Sequence, residues 1–428
     1  MGQMESRNPA TEELLATYET LSDGEIEARL EAAVQGFRHQ RQTPIDERAQ
    51  LMVRAADVLE QNRNHYADMI TAEMGKPIVA ARAEVEKCAW VCRYYAENGP
   101  AFMADRDQPS GASRSFVRPL PIGPVLAVMP WNFPFWQVFR FAAPALVAGN
   151  VGLLKHASNV PQSALAIEEV FREAGYADGV FQTLLIGSDK VAQVLEDDRV
   201  RAATLTGSEG AGRAVAKTAG GAIKKTVLEL GGSDPFIVMP SADVDKALNA
   251  AVTGRTLNNG QSCIAAKRFL VHEDIYENFM EAFGERLASL AVGDPMDENV
   301  QIGPLAMRQI RDEVAEQVEQ SIAAGARRVA GAELLGGAGY FYQPGLIIDI
   351  PKTAPAYGEE VFGPVALGFK ISSLDEAIAI ANDSRFGLGS AIFTNDEHEI
   401  ERAATEIEAG GTFVNTIVAS DPRLPFGG

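Results

Sequence analysis

The sequence predicts an α/β protein with two domains, each built around a mainly parallel sheet. Its 428 residues are too many for one compact core. Short apolar runs alternate with helical stretches in two separate series along the chain, which is typical of parallel α/β sheets. The composition, 46% apolar and 22% charged, is that of a globular protein, and 39 Gly and 22 Pro supply many tight turns.

Two helices and a projecting arm are predicted ahead of the first alternating series. Residues 45–76 carry apolar side chains at helical spacing and end near a Gly and a Pro, and residues 78–97 predict a second helix. Residues 105–118 are polar and contain Gly and Ser, so we expect a hairpin or projecting arm there.

The alternating pattern begins after this arm. The first series predicts strands at 124–129, 151–154 and 180–186 and a helix at 163–174, and the second predicts a strand at 235–238 and helices at 243–257 and 276–290. We place the domain change just after Gly231-Gly232. The predicted division is a first domain of residues 1–103 and 122–230, an arm of residues 104–121 and a second domain of residues 231–428.

The chain is strongly acidic, with a formal net charge of −20. Such a surface repels phosphate backbones, so nucleic acid is a poor partner, and an anionic ligand would need local cations. No apolar run approaches the roughly 18 residues of a membrane span, and the N-terminus lacks a secretion signal. We therefore expect a cytoplasmic protein without membrane contact.

Three cysteines are present, and they differ in context. Cys88 and Cys92 lie four apart in a predicted helix without a second His/Cys cluster, which favours buried thiols over a metal pair, so no metal site is predicted. Cys263 follows Gly260 at the end of a predicted helix, where a turn can expose the thiol beside backbone N–H groups. A solitary cysteine is usually a small core residue, so Cys263 alone is weak evidence for a nucleophile.

Two further polar residues lie in apolar surroundings. Glu229 stands inside an apolar run before two glycines, where burial would make it a general base, although an ion pair with Lys224 or Lys225 is an equal alternative. Asn132 lies between aromatic residues and two prolines, and its amide could donate to an oxyanion or simply serve the turn.

A cofactor site is less clearly marked, because the GxGxxG fingerprint of dinucleotide-binding proteins is absent. Gly207 and Ser208 lie instead in a turn that opens a helix, whose N-terminus could hold a pyrophosphate or serve only as a connection.

These segments together resemble the aldehyde dehydrogenase superfamily over nearly the whole chain. The resemblance rests on matching motifs, in order: Pro130-Trp131-Asn132-Phe133-Pro134, Leu154-Lys155, Thr206-Gly207-Ser208, Glu229-Leu230-Gly231-Gly232, Gly260-Gln261-Ser262-Cys263, Glu360-Val361-Phe362-Gly363-Pro364, residues 382–393 and Pro425-Phe426-Gly427-Gly428. It implies a Rossmann-type cofactor domain, an α/β catalytic domain and a small oligomerisation arm.

The resemblance also implies roles. Cys263 would be the nucleophile, Glu229 the base that activates water, and Asn132 with the Cys263 N–H the oxyanion donors. Cofactor contacts would come from Trp131, Lys155, Gly207, Ser208, Glu360 and Phe362. Relatives that transfer the acyl group to coenzyme A lack a carboxylate at the Glu229 position, so hydrolysis to a free acid is expected.

Cofactor preference depends on Ser158. NAD-preferring relatives carry a Glu three residues after the lysine, whereas here Ser158 follows Lys155 at that spacing. A hydroxyl does not repel a 2′-phosphate, so we expect NADP to be preferred and NAD to be accepted more weakly.

Arg140 carries the expectation about substrate. Succinic semialdehyde dehydrogenases of this superfamily have an arginine there, and a guanidinium beside an aromatic pocket favours a substrate carboxylate over a surface or ion-paired arginine. Ser420 could add a hydroxyl contact, and Trp136 and Phe426 would line the aliphatic part. The expected reaction is oxidation of succinic semialdehyde to succinate.

Two departures from the superfamily pattern bear on redox control and assembly. Ala265 occupies the place where some succinic semialdehyde enzymes have a second cysteine, so no disulfide is expected in the catalytic loop. The sequence ends about thirty residues before its relatives do, and those residues include a strand used in subunit contact. A homodimer or homotetramer built through the arm is still the expectation.

Two alternatives to the expected reaction are an enzyme for another aliphatic or betaine-type aldehyde and an inactive structural homologue.

Overall fold

The computed structural model describes residues 2–428 and divides into two compact units. Unit 1 comprises the described residues through Arg7, together with Leu14–Glu73 and Val79–Leu230, and unit 2 comprises Asn8–Glu13, Met74–Ile78 and Gly231–Gly428. The main division therefore lies between Leu230 and Gly231. Residues 8–13 and 74–78 group with unit 2 and not with the first domain, where the sequence pattern predicts them.

Unit 1 begins with a hairpin and four helices. These are β1 (Gln3–Arg7), β2 (Leu14–Glu19), α1 (Asp23–Gln40), α2 (Ile45–Gln61), α3 (Arg63–Met74) and α4 (Ile78–Phe102). The helix predicted over residues 45–76 is thus two helices. Asn62 ends α2, where its side-chain amide donates to the Val58 carbonyl at 3.0 Å, because an Asn side chain competes with the backbone for such acceptors.

The arm and the first sheet follow. Their elements are β3 (Arg106–Asp107), β4 (Phe116–Val117), β5 (Pro124–Met129), α5 (Trp136–Val147), β6 (Val151–His156), α6 (Pro161–Glu173), β7 (Phe181–Thr183), a 3₁₀ turn (Ser188–Lys190), α7 (Val191–Glu196), β8 (Ala202–Thr206), α8 (Glu209–Gly221) and β9 (Lys225–Glu229). Strands β3 and β4 pair antiparallel, which gives the hairpin expected in this region.

The first sheet has five parallel strands in the order β7-β6-β5-β8-β9. Strand β5 is central because β6 adds on one side and β8 on the other. Ligands of such open sheets bind at the carboxyl ends of the strands where the strand order reverses, which here lies between β5 and β8. An aromatic cluster of Phe139, Phe171 and Phe181, with ring centroids 4.6–5.2 Å apart, packs in the core of this unit.

Unit 2 contains the second sheet. Its elements are β10 (Pro235–Val238), α9 (Val244–Thr256), a 3₁₀ turn (Leu257–Gly260), β11 (Arg268–His272), α10 (Glu273–Ala288), α11 (Arg308–Ala323), β12 (Arg327–Ala330), β13 (Glu333–Leu334), β14 (Tyr342–Gln343), β15 (Gly345–Ile348), α12 (Pro355–Gly358), β16 (Val365–Ile371), α13 (Leu374–Asn382), β17 (Ser390–Phe393), α14 (Glu397–Glu406) and β18 (Thr412–Val414).

Seven strands form this sheet in the order β12-β15-β16-β11-β10-β17-β18, and only β12 runs antiparallel to its neighbour. Side chains alternate between two cores along β10: Phe236 and Val238 belong to one buried cluster, and Ile237 belongs to another. A strand buried on both faces is apolar throughout, which is why residues 235–238 form a continuous apolar run in the sequence.

No helix within residues 2–428 is both long and apolar enough to cross a membrane.

Candidate active site

The predicted site residues of unit 1 lie at the carboxyl edge of its sheet. Asn132 follows β5, Lys155 is near the end of β6, Gly207 follows β8, and Glu229 ends β9. Parallel strands bring these four segments to one edge, although as many as 97 positions of sequence separate them.

A buried glutamate fixes the turn that carries Asn132. Glu84 of α4 accepts hydrogen bonds from the backbone N–H groups of Phe135 and Trp136, each at 2.9 Å, where α5 begins. A carboxylate there satisfies donors that the helix itself leaves open and interacts favourably with the helix dipole. Asn132 is buried at 4% exposure in the turn just before.

His156 ties the same turn to the next strand. Its Nδ1 accepts from the Ala157 N–H at 2.9 Å, so Nε2 carries the proton and donates to the Pro134 carbonyl at 2.9 Å. Burial lowers the pKa of His156 to about 4, against the effect of the Pro134 bond, which keeps the ring neutral near pH 7. The turn after β5 and the end of β6 are thereby held together.

Lys155 is a largely buried cation on β6. Burial lowers the pKa of its ammonium, and no carboxylate among residues 2–428 forms an ion pair with it. Ser158, three residues later, is exposed. Helix α6 then begins at Pro161, and buried Glu73 accepts from the N–H groups of Gln162 and Ser163, each at 2.9 Å. The Lys155 ammonium has no carboxylate partner, and the exposed Ser158 hydroxyl follows it by three residues. This combination suits an anionic ligand such as a phosphorylated ribose.

The Gly207–Ser208 turn leads from β8 into α8. The Gly207 N–H donates to the Glu229 carbonyl at 2.9 Å, and the Ser208 hydroxyl accepts from the Ala211 N–H at 3.3 Å as the helix cap. The first turn of α8 carries the Glu209 carboxylate, which pairs with Arg213 within the helix. The predicted turn and helix start are present, and a pyrophosphate contact there stays a prediction.

Glu229 and Arg140 act on each other in unit 1. Thr206 and Glu229 are register partners across β8 and β9, and Arg140 Nη2 donates to Thr206 Oγ1 at a long 3.4 Å. Burial raises the pKa of the half-buried Glu229 carboxyl, and the Arg140 guanidinium opposes that rise. The alternative partner Lys224 donates instead to the carbonyls of Leu195 and Asp197 at 2.7 and 2.6 Å.

Trp136 lies within helix α5 at 5% exposure, and the Lys87 ammonium is 4.2 Å from its ring centroid. Its predicted contact with the aliphatic part of a substrate stays a prediction.

The Cys263 turn in unit 2 requires unusual backbone. Asn258 and Asn259 adopt left-handed φ values of 59° and 57°, and Gly260 follows at 75°. A Cβ on Gly260 would lie 2.5 Å from the Gly363 carbonyl oxygen, so only glycine permits this approach. Cys263 itself is partly exposed, whereas Cys88 and Cys92 are fully buried thiols, as their sequence context predicts.

Buried Arg255 joins this turn to the Glu360-Val361-Phe362-Gly363 segment. Its guanidinium donates to the Gly260 carbonyl at 2.8 Å, to the Ala266 carbonyl at 2.9 Å and to the Gly363 carbonyl. Burial lowers the pKa of Arg255 to about 9, and the charge of Glu360 opposes that shift. One side chain thus holds two motifs that lie a hundred residues apart in sequence.

Glu360 lies against the two glycines that follow Glu229. Its Oε1 accepts from the Gly232 N–H at 3.1 Å, and a Cβ on Gly231 would overlap its Oε2. A Cβ on Gly232 would stand 2.6 Å from the Cys263 carbonyl oxygen. The diglycine therefore allows Glu360 and the Cys263 turn to approach the same stretch of backbone.

Three other predicted residues belong to unit 2. Phe362 and Phe426 are partly buried, and Ser420 is buried at 8% exposure. Unit 2 thus brings Cys263 and Glu360 together, unit 1 brings Arg140 and Glu229 together, and Asn132, Lys155 and Ser158 lie at the edge of the unit 1 sheet.

The sequence did not point to the buried titratable residues that hold these segments: Glu73, Glu84, His156, Arg255 and Lys267. The signal was a charge inside apolar or small-residue surroundings, as at Lys267 between Ala265-Ala266 and the apolar strand β11. Burying such a charge is costly unless it is hydrogen-bonded, so each marks a polar network in the core.

Comparison with known proteins decides the family. The profile described as "Aldehyde dehydrogenase family" matches residues 1–428. The chain belongs to the aldehyde dehydrogenase family. Among curated members of this family, it is 53% identical over 421 residues to the probable succinate-semialdehyde dehydrogenase [NADP(+)] of Synechocystis sp., covering 98% of this chain and 93% of that protein. It is 54% identical over 424 residues to succinate-semialdehyde dehydrogenase [NADP(+)] 1 of Mycobacterium tuberculosis (strain ATCC 25618 / H37Rv), with the same coverage.

Solved aldehyde dehydrogenase structures share the fold. The succinic semialdehyde dehydrogenase from Streptococcus pyogenes, in complex with NADP+, is 37% identical with a TM-score of 0.97, covering 99% of this chain and 93% of that chain. An NADP dependent enzyme of E. coli is 33% identical with a TM-score of 0.96, covering 100% of this chain and 89% of that chain. The predictions of an aldehyde dehydrogenase and of its α/β fold are confirmed.

Proposed function

We propose that this aldehyde dehydrogenase oxidises succinic semialdehyde to succinate with NADP as its preferred cofactor. The observation that carries the choice of substrate is the Arg140 guanidinium beside the Thr206–Glu229 strand pair. A fixed cation there suits an aldehyde whose far end is a carboxylate. Its 53–54% identity to enzymes named for this substrate and for NADP supports the same choice.

The proposed chemistry starts at Cys263. Its thiolate adds to the aldehyde carbon, and the resulting thiohemiacetal oxyanion is stabilised by the Asn132 amide and the Cys263 N–H, each worth about 3 kcal/mol in comparable oxyanion sites. NADP, when bound, supplies the hydride acceptor for this oxidation. The thioester left on Cys263 is hydrolysed by water that loses its proton to Glu229, which releases succinate and regenerates the thiol.

Burial suits Glu229 to this task. A general base works best when its pKa lies near the working pH, and burial raises the pKa of Glu229 in that direction. Arg140 limits the rise, so the carboxylate stays ionised over more of the neutral range.

The chain's own residues fit NADP. We assign the 2′-phosphate to Lys155 and Ser158, the pyrophosphate to the Gly207–Ser208 turn, and the nicotinamide side to Trp131, Glu360 and Phe362. The buried ammonium of Lys155, without a carboxylate partner in the described chain, is the feature that supports this fit. Glu360 contributes an oxygen, Oε2, that accepts no hydrogen bond from any described residue and is suited to ribose hydroxyls.

Ser158→Glu is expected to reverse the cofactor preference. A carboxylate beside the 2′-phosphate repels it, at several kcal/mol, so the NADP-to-NAD ratio of kcat/KM should fall by on the order of 100-fold. Initial rates with both cofactors measure this ratio. Ser158→Gln, which adds similar bulk without charge, is the control. An unchanged ratio in Ser158→Glu would remove Ser158 from the 2′-phosphate site.

Arg140→Met is expected to lower kcat/KM for succinic semialdehyde by about 10- to 100-fold, since charge-assisted hydrogen bonds contribute roughly 1.5–3 kcal/mol. The kcat/KM for pentanal, which carries no carboxylate, should change by less than about threefold. Rates for both aldehydes in wild type and variant test the proposed function. Arg172→Met, at an exposed arginine paired only with its neighbour Glu169 in the same helix, is the matched control. Equal loss with both aldehydes would show that Arg140 does not bind a carboxylate.

The pocket around the aldehyde is proposed from the same resemblance. Ser420 would donate to the substrate carboxylate, and Trp136 and Phe426 would pack on its methylene groups. A panel of aliphatic, aromatic and betaine-type aldehydes with both cofactors separates this assignment from its alternatives: another preferred aldehyde replaces the substrate, and no turnover of any aldehyde indicates an inactive homologue.

We further infer that residues 1–103 and 122–230, apart from the segments 8–13 and 74–78 that group with unit 2, form the dinucleotide-binding domain and that residues 231–428 form the catalytic domain. The parallel sheet of unit 1, with its strand-order reversal at β5 and β8, supports the first assignment. A homodimer or homotetramer joined through the arm of residues 104–121, located in the cytoplasm, completes the proposal. The exposed Phe116, Val117 and Leu120 of the arm support a role in assembly.

A further inference from the structure

Lys267 is a fully buried ammonium under the Cys263 turn. Its Nζ donates to the carbonyls of Ser262 and Cys263, each at 2.8 Å, and lies 3.1 Å from Glu360 Oε1. These three acceptors match the three hydrogens of an ammonium group. The side chain has no exposed surface, so water does not compete for these bonds.

Each partner of Lys267 belongs to a different part of the proposed site. The two carbonyls belong to the turn that presents the thiol, and Glu360 is the carboxylate assigned to the nicotinamide ribose. Glu360 Oε1 is occupied by Lys267 and by the Gly232 N–H at 3.1 Å, which leaves Oε2 for a ligand hydroxyl. The orientation of Glu360 therefore depends on an ammonium that the nucleophile turn also holds.

Two further charged residues, Asp234 and Arg268, lie next to Lys267. The Asp234 backbone carbonyl accepts from the Lys267 N–H at 3.1 Å, and the Asp234 carboxyl accepts from the Gly389 N–H at 3.1 Å. Burial raises the pKa of Asp234 to about 7, against the charge of Lys267. The guanidinium of Arg268, the next residue, donates to the carbonyls of Ser233, Ile380 and Ala381.

We propose that Lys267 is a positioning residue that couples the Cys263 turn to the Glu360 carboxylate, so that the nucleophile and the ribose-binding group are aligned by one ammonium. The proposal rests on the roles of Cys263 and Glu360 in the proposed function. The proposal adds Lys267, whose ammonium contacts neither the Cys263 thiol nor the substrate. It acts through the backbone of the Cys263 turn and through the Glu360 carboxylate. Loss of Lys267 disturbs the thiol and the cofactor site together.

The test uses two readouts that need no aldehyde: the Kd of NADP+, from quenching of tryptophan fluorescence, and the rate at which iodoacetamide alkylates Cys263, from mass spectrometry of its peptide. Cys88 and Cys92 are fully buried and should not react in the folded chain. Lys267→Met, Glu360→Gln and the double variant are compared with wild type. Lys370→Met removes an ammonium from the surface pair with Glu277 in the same unit and is the control.

Lys267→Met is expected to raise the Kd of NADP+ by about tenfold and to slow alkylation by about tenfold, a size typical of lost charge-assisted bonds. Glu360→Gln is expected to raise the Kd and also to change alkylation by at least about threefold, because Lys267 transmits the change. In the Lys267→Met background, the effect of Glu360→Gln on alkylation should disappear, since the residue that carries the coupling is gone.

Several results would overturn the proposal. One is a folded Lys267→Met variant whose Kd for NADP+ and Cys263 alkylation rate equal those of wild type. Another is a double variant in which the effects of Lys267→Met and Glu360→Gln on the alkylation rate simply add. If Lys267→Met does not fold, Glu360→Gln decides: alkylation equal to wild type rejects the coupling, and an altered rate supports it. An error in the proposed substrate would appear separately. In that case the wild-type enzyme would bind NADP+ and its Cys263 would be alkylated at the normal rate, but it would not turn over succinic semialdehyde.

Discussion

Cys263→Ala should abolish aldehyde-dependent formation of NADPH, with kcat reduced by at least about 10³-fold, since no covalent intermediate can form without the thiol. The backbone around it should persist, because Gly260, Asn258 and Asn259 set the turn and buried Arg255 and Lys267 bind its carbonyls. Binding of NADP+ should therefore stay within about threefold of wild type. Absorbance at the NADPH wavelength and fluorescence titration measure the two quantities.

Cys92→Ala is the matched control, because it makes the same substitution at a fully buried thiol on α4. Burial raises the pKa of the Cys92 thiol far above its usual range, which keeps it protonated and unreactive. This variant should retain turnover within about twofold. Residual turnover in Cys263→Ala above a few per cent of wild type would assign the nucleophile elsewhere.

Glu229→Gln is expected to separate the two halves of the reaction. Steady-state turnover should fall by about 10²- to 10⁴-fold, the contribution of a general base, because the thioester no longer meets activated water. Oxidation precedes hydrolysis, so one equivalent of NADPH per active site should still form in a rapid burst. Stopped-flow absorbance with excess succinic semialdehyde resolves the burst from the slow phase.

Glu196→Gln removes one carboxylate from an exposed position in unit 1 and should leave both phases unchanged. Absence of the burst in Glu229→Gln would mean that Glu229 is also needed before the thioester forms, for example to deprotonate Cys263. Unchanged steady-state turnover would remove Glu229 from hydrolysis altogether.

The same residue sets the expected pH dependence. Glu229 acts as a base only when ionised, so the hydrolytic rate rises with pH through its pKa, which burial raises from the ordinary value of a glutamate. Arg140 lowers that pKa, and Arg140→Met should therefore move the acidic limb of the kcat profile to higher pH with pentanal as substrate. A limb that moves to lower pH would contradict the electrostatic link between these residues.

Strands and helices with a clear apolar pattern were predictable because the pattern of buried side chains can be read from consecutive residues. The strand over residues 235–238 was predicted at its observed bounds, since a strand buried on both faces must be apolar throughout. The break at Asn62 was not predicted. Residues 60–65 are all polar, but a polar stretch alone does not end a helix, and the side-chain bond to Val58 is what shows where α2 ends.

The glycines of the motifs could be recognised from the sequence, but the steric reason why a glycine is needed at each position could not. Gly232 and Gly260 are each required by backbone that is distant in sequence, the Cys263 carbonyl and Gly363 respectively, and a Cβ on Gly231 would displace the Glu360 carboxylate. Steric limits of this kind arise only when two segments meet.

Residue types and motif order by themselves determined the family, the candidate nucleophile, the candidate base and the expectation of a carboxylate-binding arginine. These follow from the chemistry that each side chain can perform. The tertiary structure alone decided which charges are buried and what they hold. Lys224 binds the carbonyls of Leu195 and Asp197, Arg140 shares the neighbourhood of Glu229, and Lys267 joins Cys263 to Glu360. Hydrogen bonds and desolvation depend on distances between segments that are remote in sequence, and only the folded chain sets those distances.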